Sequence, residues 1–259
     1  MQRRLAQEII ITVKRVCFIM SDRSEQFSRT ARLLGDQSIL FLQKCTVAVF
    51  GLGGVGSYAA EALARTGVGT LILIDHDLVT ESNLNRQILA LHSTLGRKKV
   101  DVMRERLLDI APDLQIVTHD CFYLPGNQDR ILDGCDYVID AIDTVSGKIA
   151  LVEEARKKGI PMISCMGTGN KTDPSRLEIS DLSKTSVCPL CRVMRRELKQ
   201  RGIDHLKVVF SKEEPIRPSV PPAPGEKPVP GSLMYVTASA GLLLASAVVR
   251  DLLSGSSKK

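Results

Sequence analysis

Val47-Ala-Val-Phe-Gly-Leu-Gly-Gly-Val-Gly56, a helix-forming run to Thr66, the apolar run Thr70-Leu-Ile-Leu-Ile-Asp75 and then Asn83-Leu-Asn-Arg-Gln87 set the architecture of the whole chain. An apolar strand, Thr46 to Phe50, opens onto a glycine loop. An Ala-rich helical segment, Ser57 to Thr66, follows, and Gly67-Val-Gly69 turns the chain into a second strand, Thr70 to Asp75. Strand, helix and strand in this order make parallel neighbours, which need a long crossover rather than a tight turn.

The alternation continues on both sides. Phe27 to Gln43 has helical spacing, with Leu33, Leu34, Ile39, Leu40 and Leu42 apolar. Lys98 to Ile110 is an amphipathic helix closed by Ala111-Pro112, and Leu114 to Asp120 is a third strand. A short helix at Gln128 to Leu132 precedes a fourth strand, Tyr137 to Ala141. A helix from Gly147 to Lys158 leads to a fifth strand, Pro161 to Met166. This regularity predicts an α/β fold, a Rossmann-like, doubly wound, mainly parallel sheet. Beyond Gly167 the pattern changes to a strand at Arg176 to Asp181, a charged helix at Val193 to Arg201 and a strand at Val208 to Ser211. Residues 215–231 are Pro-rich and read as a mobile loop.

A chain of 259 residues, 44% hydrophobic and 25% charged, suits one large domain. We read residues 1–20 as an N-terminal extension, disordered or preceding the true start, and 21–255 as a single domain. Lys14 and Arg15 interrupt the apolar run Ile9 to Val13, which argues against a secretory signal. Leu233 to Val249 is nearly uncharged but only about 17 residues long, at the lower limit of a membrane span. Its Ala, Ser, Thr and Gly content reads as a helix packed on the sheet, so no stable membrane insertion is expected. The seven cysteines are scattered and odd in number, and so suggest a reducing, cytoplasmic setting with mostly inert thiols. A net charge of +6 admits a polyanionic partner. Arg192, Arg195, Arg196, Lys199 and Arg201, with Lys207 and Lys212, offer either a track for an RNA backbone or an ordinary solvated face.

Gly51, Gly53, Gly54 and Gly56 lie between a strand and a helix, where backbone N–H groups can approach phosphate. This fits mononucleotides and dinucleotides equally, and the plainer alternative is a tight turn. Asp75, at a strand end about 20 residues on, suits ribose hydroxyls in either case; its alternative is a loop-capping carboxylate. Asn83, Asn85, Arg86 and Lys99 separate the two cases. A dinucleotide site needs no such polar group after its acidic residue, whereas a site that cuts ATP between its α and β phosphates needs cations where charge grows. Asp143, ending the fourth strand, can hold Mg²⁺ against phosphates or can cap the next helix. Cys188-Pro-Leu-Cys191 reads as half a zinc site, a redox pair or ordinary thiols.

Together these residues resemble the adenylation fold of ubiquitin-activating enzymes and the activators of sulfur-carrier proteins. The resemblance implies that Gly51 to Gly56, Asp75, Asn83, Arg86, Lys99 and Asp143 form an ATP and Mg²⁺ site. It also implies that an N-terminal arginine, Arg32 before Arg29, reaches ATP in a partner subunit, making a homodimer. Thr30-Ala-Arg-Leu-Leu-Gly35, Ala60-Glu-Ala-Leu-Ala-Arg-Thr-Gly67, Asn83-Leu-Asn-Arg-Gln87, Val138-Ile-Asp-Ala-Ile-Asp143 and Asp181-Leu-Ser-Lys-Thr185 are more closely similar to the tRNA threonylcarbamoyladenosine dehydratase branch. That branch implies ATP-dependent cyclisation of N6-threonylcarbamoyladenosine in tRNA through a carboxyl-adenylate, and leaves a sulfur-relay partner open. The alternatives are adenylation of a sulfur-carrier protein's C-terminus, an NAD-dependent oxidoreductase and a non-catalytic scaffold. A second C-x-x-C pair, common in sulfur-carrier activators, does not occur here.

Overall fold

The computed structural model describes residues 25–124, 130–217 and 229–256. The N-terminal extension, the start of the expected helix at 128–132 and residues 218–228 of the Pro-rich segment lie outside them. In chain order the elements are α1 (25–34), α2 (Asp36–Leu42), β1 (Thr46–Phe50), α3 (Gly56–Thr66), β2 (Thr70–Ile74), α4 (Lys99–Ile110) and β3 (Gln115–His119). There follow β4 (Tyr137–Asp140), α5 (Val145–Lys158), β5 (Met162–Cys165), β6 (Leu177–Asp181), α6 (Pro189–Lys199), β7 (Lys207–Ser211) and α7 (Met234–Ser256).

Seven strands form one sheet in the order β3-β2-β1-β4-β5-β7-β6, parallel except for β6, which runs antiparallel to β7. Alternate residues of a strand point to opposite faces, and both faces here are covered. Val47 and Val49 join a core with α3, α4 and α7, while Ala48 and Phe50 join a second core with α5. The order reverses between β1 and β4. That switch point opens a crevice beyond the carboxyl ends of the strands, where open α/β sheets bind ligands.

Several expected elements change. The single helix predicted over Phe27 to Gln43 is two helices, because Gly35 adopts φ 82° between them. Residues 130–134 form turns rather than the end of a helix. The charged helix starts four residues early, at Pro189, whose missing N–H costs nothing in a first turn. The last helix, α7, extends to Ser256. It is long and apolar enough to cross a membrane, but 56% of its apolar window is buried, and it packs against α3. Gly241 explains its small-residue composition: a Cβ there would lie 2.3 Å from the Val55 carbonyl oxygen at the start of α3.

Candidate active site

The crevice at the switch point is a cleft of about 590 Å³. Its floor is the glycine loop, and the four glycines divide into two roles. Gly51 holds φ 87°, and a Cβ on it would sit 2.6 Å from the Ala141 carbonyl oxygen; one on Gly56 would sit 1.8 Å from that of Gly51. These two let the turn after β1 nest against the end of β4 and do the work of packing. Gly53 and Gly54 line the cleft, as Gly51 also does. A Cβ on Gly54 would press on the Thr237 hydroxyl at 3.0 Å and on Arg86 at 3.2 Å. No side chain caps the start of α3; the Ser57 N–H bonds the Gly53 carbonyl at 3.2 Å, and the positive end of the helix favours a ligand with negative charge.

Asp75 is buried at the end of β2 and accepts N–H bonds from Leu52 at 2.6 Å and from Asp77 at 2.8 Å. It is therefore a loop-capping carboxylate and a cleft-lining one at once. Arg86 lines the cleft and is braced by the Ser82 carbonyl at 2.8 Å and the Asn85 side-chain oxygen at 2.9 Å. Lys99 opens α4, an unfavourable place for a cation against the helix dipole. Its Nζ is held 2.6 Å from Asp77 Oδ2, and its side chain is only 5% exposed. Asp143 lies across the cleft on the loop after β4, exposed and with no described partner. The α5 N-cap is Thr144, so Asp143 is not the helix cap.

The remaining expectations fare differently. Asn83 lines the cleft, but its Oδ1 accepts the Thr80 N–H at 3.2 Å, which leaves its NH₂ to face a ligand. Asn85 lies outside the lining; it is exposed, donates to the Ser232 carbonyl and steadies Arg86. Arg32 is exposed on α1 and does not line the cleft of its own chain. The basic track is mostly tied up. Arg195 donates to the Leu182 and Thr185 carbonyls, Arg196 and Arg201 pair with Glu197, Lys207 binds Asp251 and Lys212 binds Glu178. Of the helix's basic residues only Arg192 and Lys199 are exposed without a described partner.

The cleft has walls that the sequence reading gave no role. Gln87 is buried there, and its Oε1 has no hydrogen-bond partner among the described residues. Phe122 and Tyr123 follow β3, Gly167 to Lys171 follow β5, and Thr237 comes from α7. The rule that ligands sit beyond strand carboxyl ends would have found all of these except Thr237. Asp75, His76 and Asp77 form the one described trio of ligand-type groups within 4.8 Å, but Asp75 is spent on N–H groups and Asp77 on Lys99 and His76. Burial pushes the Cys165 thiol up, which disfavours the thiolate a nucleophile needs. A glycine cradle that a Cβ would fill, a helix start with no side-chain cap, two cations and an orphaned buried amide oxygen fit a nucleoside triphosphate.

Comparison with known proteins agrees with this geometry. The model of the ThiF family matches residues 27–257. The chain is 45% identical to a tRNA threonylcarbamoyladenosine dehydratase of Bacillus subtilis over 240 residues, covering 88% of this chain and 94% of that one. It is 43% identical to the enzyme of that name from Escherichia coli over 70% of this chain and 68% of that one. The crystal structure of the E. coli tRNA N6-threonylcarbamoyladenosine dehydratase in complex with AMP superposes with a TM-score of 0.84 at 36% identity, covering 91% and 97% of the two chains. A complex of that protein with ATP matches equally well.

Proposed function

Because the chain belongs to the ThiF family, we propose that its cleft activates a carboxylate with ATP, and that this carboxylate is the threonyl group of N6-threonylcarbamoyladenosine in tRNA. The observation that carries this reading is the likeness to the B. subtilis dehydratase over nearly the full length of both chains.

The chemistry follows from the groups in the cleft. The threonyl carboxylate attacks the α-phosphorus of ATP, a carboxyl oxygen–phosphorus bond forms, and pyrophosphate leaves. A nitrogen of the same modification then attacks the acyl carbon, expels AMP and gives up its proton as the ring closes. The sum is loss of water from the nucleoside, driven by conversion of ATP to AMP and pyrophosphate. Ring closure is intramolecular, so holding the two ends together supplies much of its rate. Gly53 and Gly54 bring backbone N–H groups to the phosphates, and Asp75 meets the ribose. Arg86 and Lys99 face the growing charge on the leaving group. A magnesium ion held by Asp143 would neutralise phosphate charge on the opposite wall. No step transfers sulfur, so no sulfur-relay partner is required, and the reaction belongs in the cytosol with its tRNA.

The nucleosides of tRNA test this directly. In cells lacking the gene, mass spectrometry should find the cyclic nucleoside gone and its open form accumulated. An unchanged cyclic nucleoside would end the proposal.

The homodimer is part of the same reading, supported by the position of Arg32, exposed on α1 and outside its own cleft. Arg32→Ala and Asp143→Ala should each be inactive alone. Mixed and reassorted, they should regain activity, since one site of a mixed dimer would hold both intact residues. If the Arg32 variant is fully active alone, the cross-subunit role is wrong.

A further inference from the structure

Cys188-Pro189-Leu190-Cys191 forms the first turn of α6, with Cys188 as its N-cap, and Cys188 stands in the wall of the cleft beside Gly167. Gly167 packs against it: a Cβ there would meet the Cys188 sulfur at 3.6 Å, an ordinary van der Waals contact. Val187, just before the pair, holds φ 63°, which is rare for a β-branched residue and fixes how the turn enters the helix. Both cysteines are buried and free of any disulfide.

The surroundings treat the two sulfurs oppositely. Hydrogen bonding from the Cys191 side chain, joined by the N–H groups of Cys191, Gly167 and Leu190, outweighs burial and holds the Cys188 thiol well below the ordinary thiol range. The start of a helix adds its positive end. The Lys171 ammonium, bonded to the Glu213 carbonyl, is close enough to feel both sulfurs. The Cys191 thiol is pushed up, first by its bond to Cys188 and then by burial, against the pull of Thr185 and Arg195. Cys188 is thus the more acidic of two touching sulfurs, with the Cys191 thiol as its hydrogen-bond donor. By contrast, burial raises the thiols of Cys45 and Cys135 to about 11. A zinc site would need four ligands, and Asp75, His76 and Asp77 are the one trio of ligand-type groups that converges among the described residues.

We propose that Cys188 and Cys191 are a thiol–disulfide exchange site, with Cys188 attacking a low-molecular-weight disulfide and Cys191 resolving the adduct. In the first step the Cys188 thiolate bonds to one sulfur of the small disulfide, whose S–S bond breaks and releases a thiolate. In the second, Cys191 gives its proton to that thiolate and attacks the Cys188 sulfur, expelling the other half as a thiolate that takes from solvent the proton Cys188 lost on ionising. The small disulfide is reduced to two thiols, and the protein dithiol is oxidised to one disulfide. This chemistry is separate from adenylation and needs neither ATP nor tRNA.

The test uses the full reduced chain and glutathione disulfide near pH 7, followed by alkylation, digestion and peptide mass spectrometry. A Cys188–Cys191 disulfide that dithiothreitol reverses is the expected product. Cys191→Ala should instead carry a glutathionyl group on Cys188. In the untreated wild-type protein at pH 6, iodoacetamide should label Cys188 roughly tenfold or more faster than Cys45, Cys135 or Cys165. The proposal is overturned if wild-type Cys188 and Cys191 remain thiols while other cysteines take up glutathione. It is equally overturned if Cys188 is labelled no faster than Cys45. Both of these results come from the wild-type chain, so a folding defect in the Cys191 variant cannot mask them.

Discussion

Asp143→Ala and Arg86→Ala should each leave a folded protein that releases AMP at least about 10²–10³-fold more slowly than the wild type. The two residues stand on opposite sides of the cleft and fold independently of each other. Asp143 has no described partner to lose. Arg86 gives up only its bonds to Ser82 and Asn85, near the surface. Neither change creates a cavity in either core, so thermal stability should move by less than about 1 kcal/mol. In the proposed reaction, by contrast, removing a preorganised cation from the side of the departing pyrophosphate acts on the transition state itself. Substrate tRNA, ATP and magnesium suffice for the assay, with AMP measured by chromatography. Near-normal AMP release from either variant would mean that the chemistry happens elsewhere.

Lys148→Ala should destabilise the protein by about 3–5 kcal/mol, the usual cost of breaking a buried ion pair by removing one partner. Lys148 is 1% exposed on α5, and Asp140 is fully buried at the end of β4. The Lys148 Nζ reaches both Asp140 oxygens at 3.1 Å, the Ser164 hydroxyl at 3.3 Å and the Cys165 carbonyl at 2.7 Å. Without it a carboxylate is left uncompensated between two strands. The melting temperature should fall by roughly 6–20 °C. Adding Asp140→Asn to the variant should return part of that loss, because no charge is then stranded. Activity should fall as well: Asp140 Oδ1 accepts the Ile142 N–H at 3.0 Å and so shapes the turn that carries Asp143. An unchanged melting curve would show that the pair contributes nothing.

The strands and the glycine loop were legible because their signals are local. An apolar run of four or five residues ended by Gly or Asp can do little else, and β1 begins and ends where the sequence placed it. The break at Gly35 was hidden because helical spacing continues through it. Of the apolar residues that carried that spacing, Leu33 is 87% exposed and Leu40 also faces out, so the periodicity there did not mark a core. Lys148 escaped notice for the opposite reason. A lysine early in a helix looks solvated, and only the packing of α5 against β4 and β5 brings it to Asp140. The same blindness made Arg195 look like part of a free basic face, although it ties α6 to the Leu182 and Thr185 carbonyls. For the C-x-x-C pair the spacing admitted three chemistries; the helix N-cap position in the cleft wall and the opposed shifts of the two thiols are what favour the redox pair.

Asp75 has one more consequence. The carboxylate that lines the cleft also clamps the loops on either side of it, through the Leu52 and Asp77 amides. The ordering entropy of this corner is therefore met when the chain folds, not when a nucleotide arrives. A nucleoside binding at this corner would meet a rigid surface, and any induced adjustment is left to the rest of the cleft.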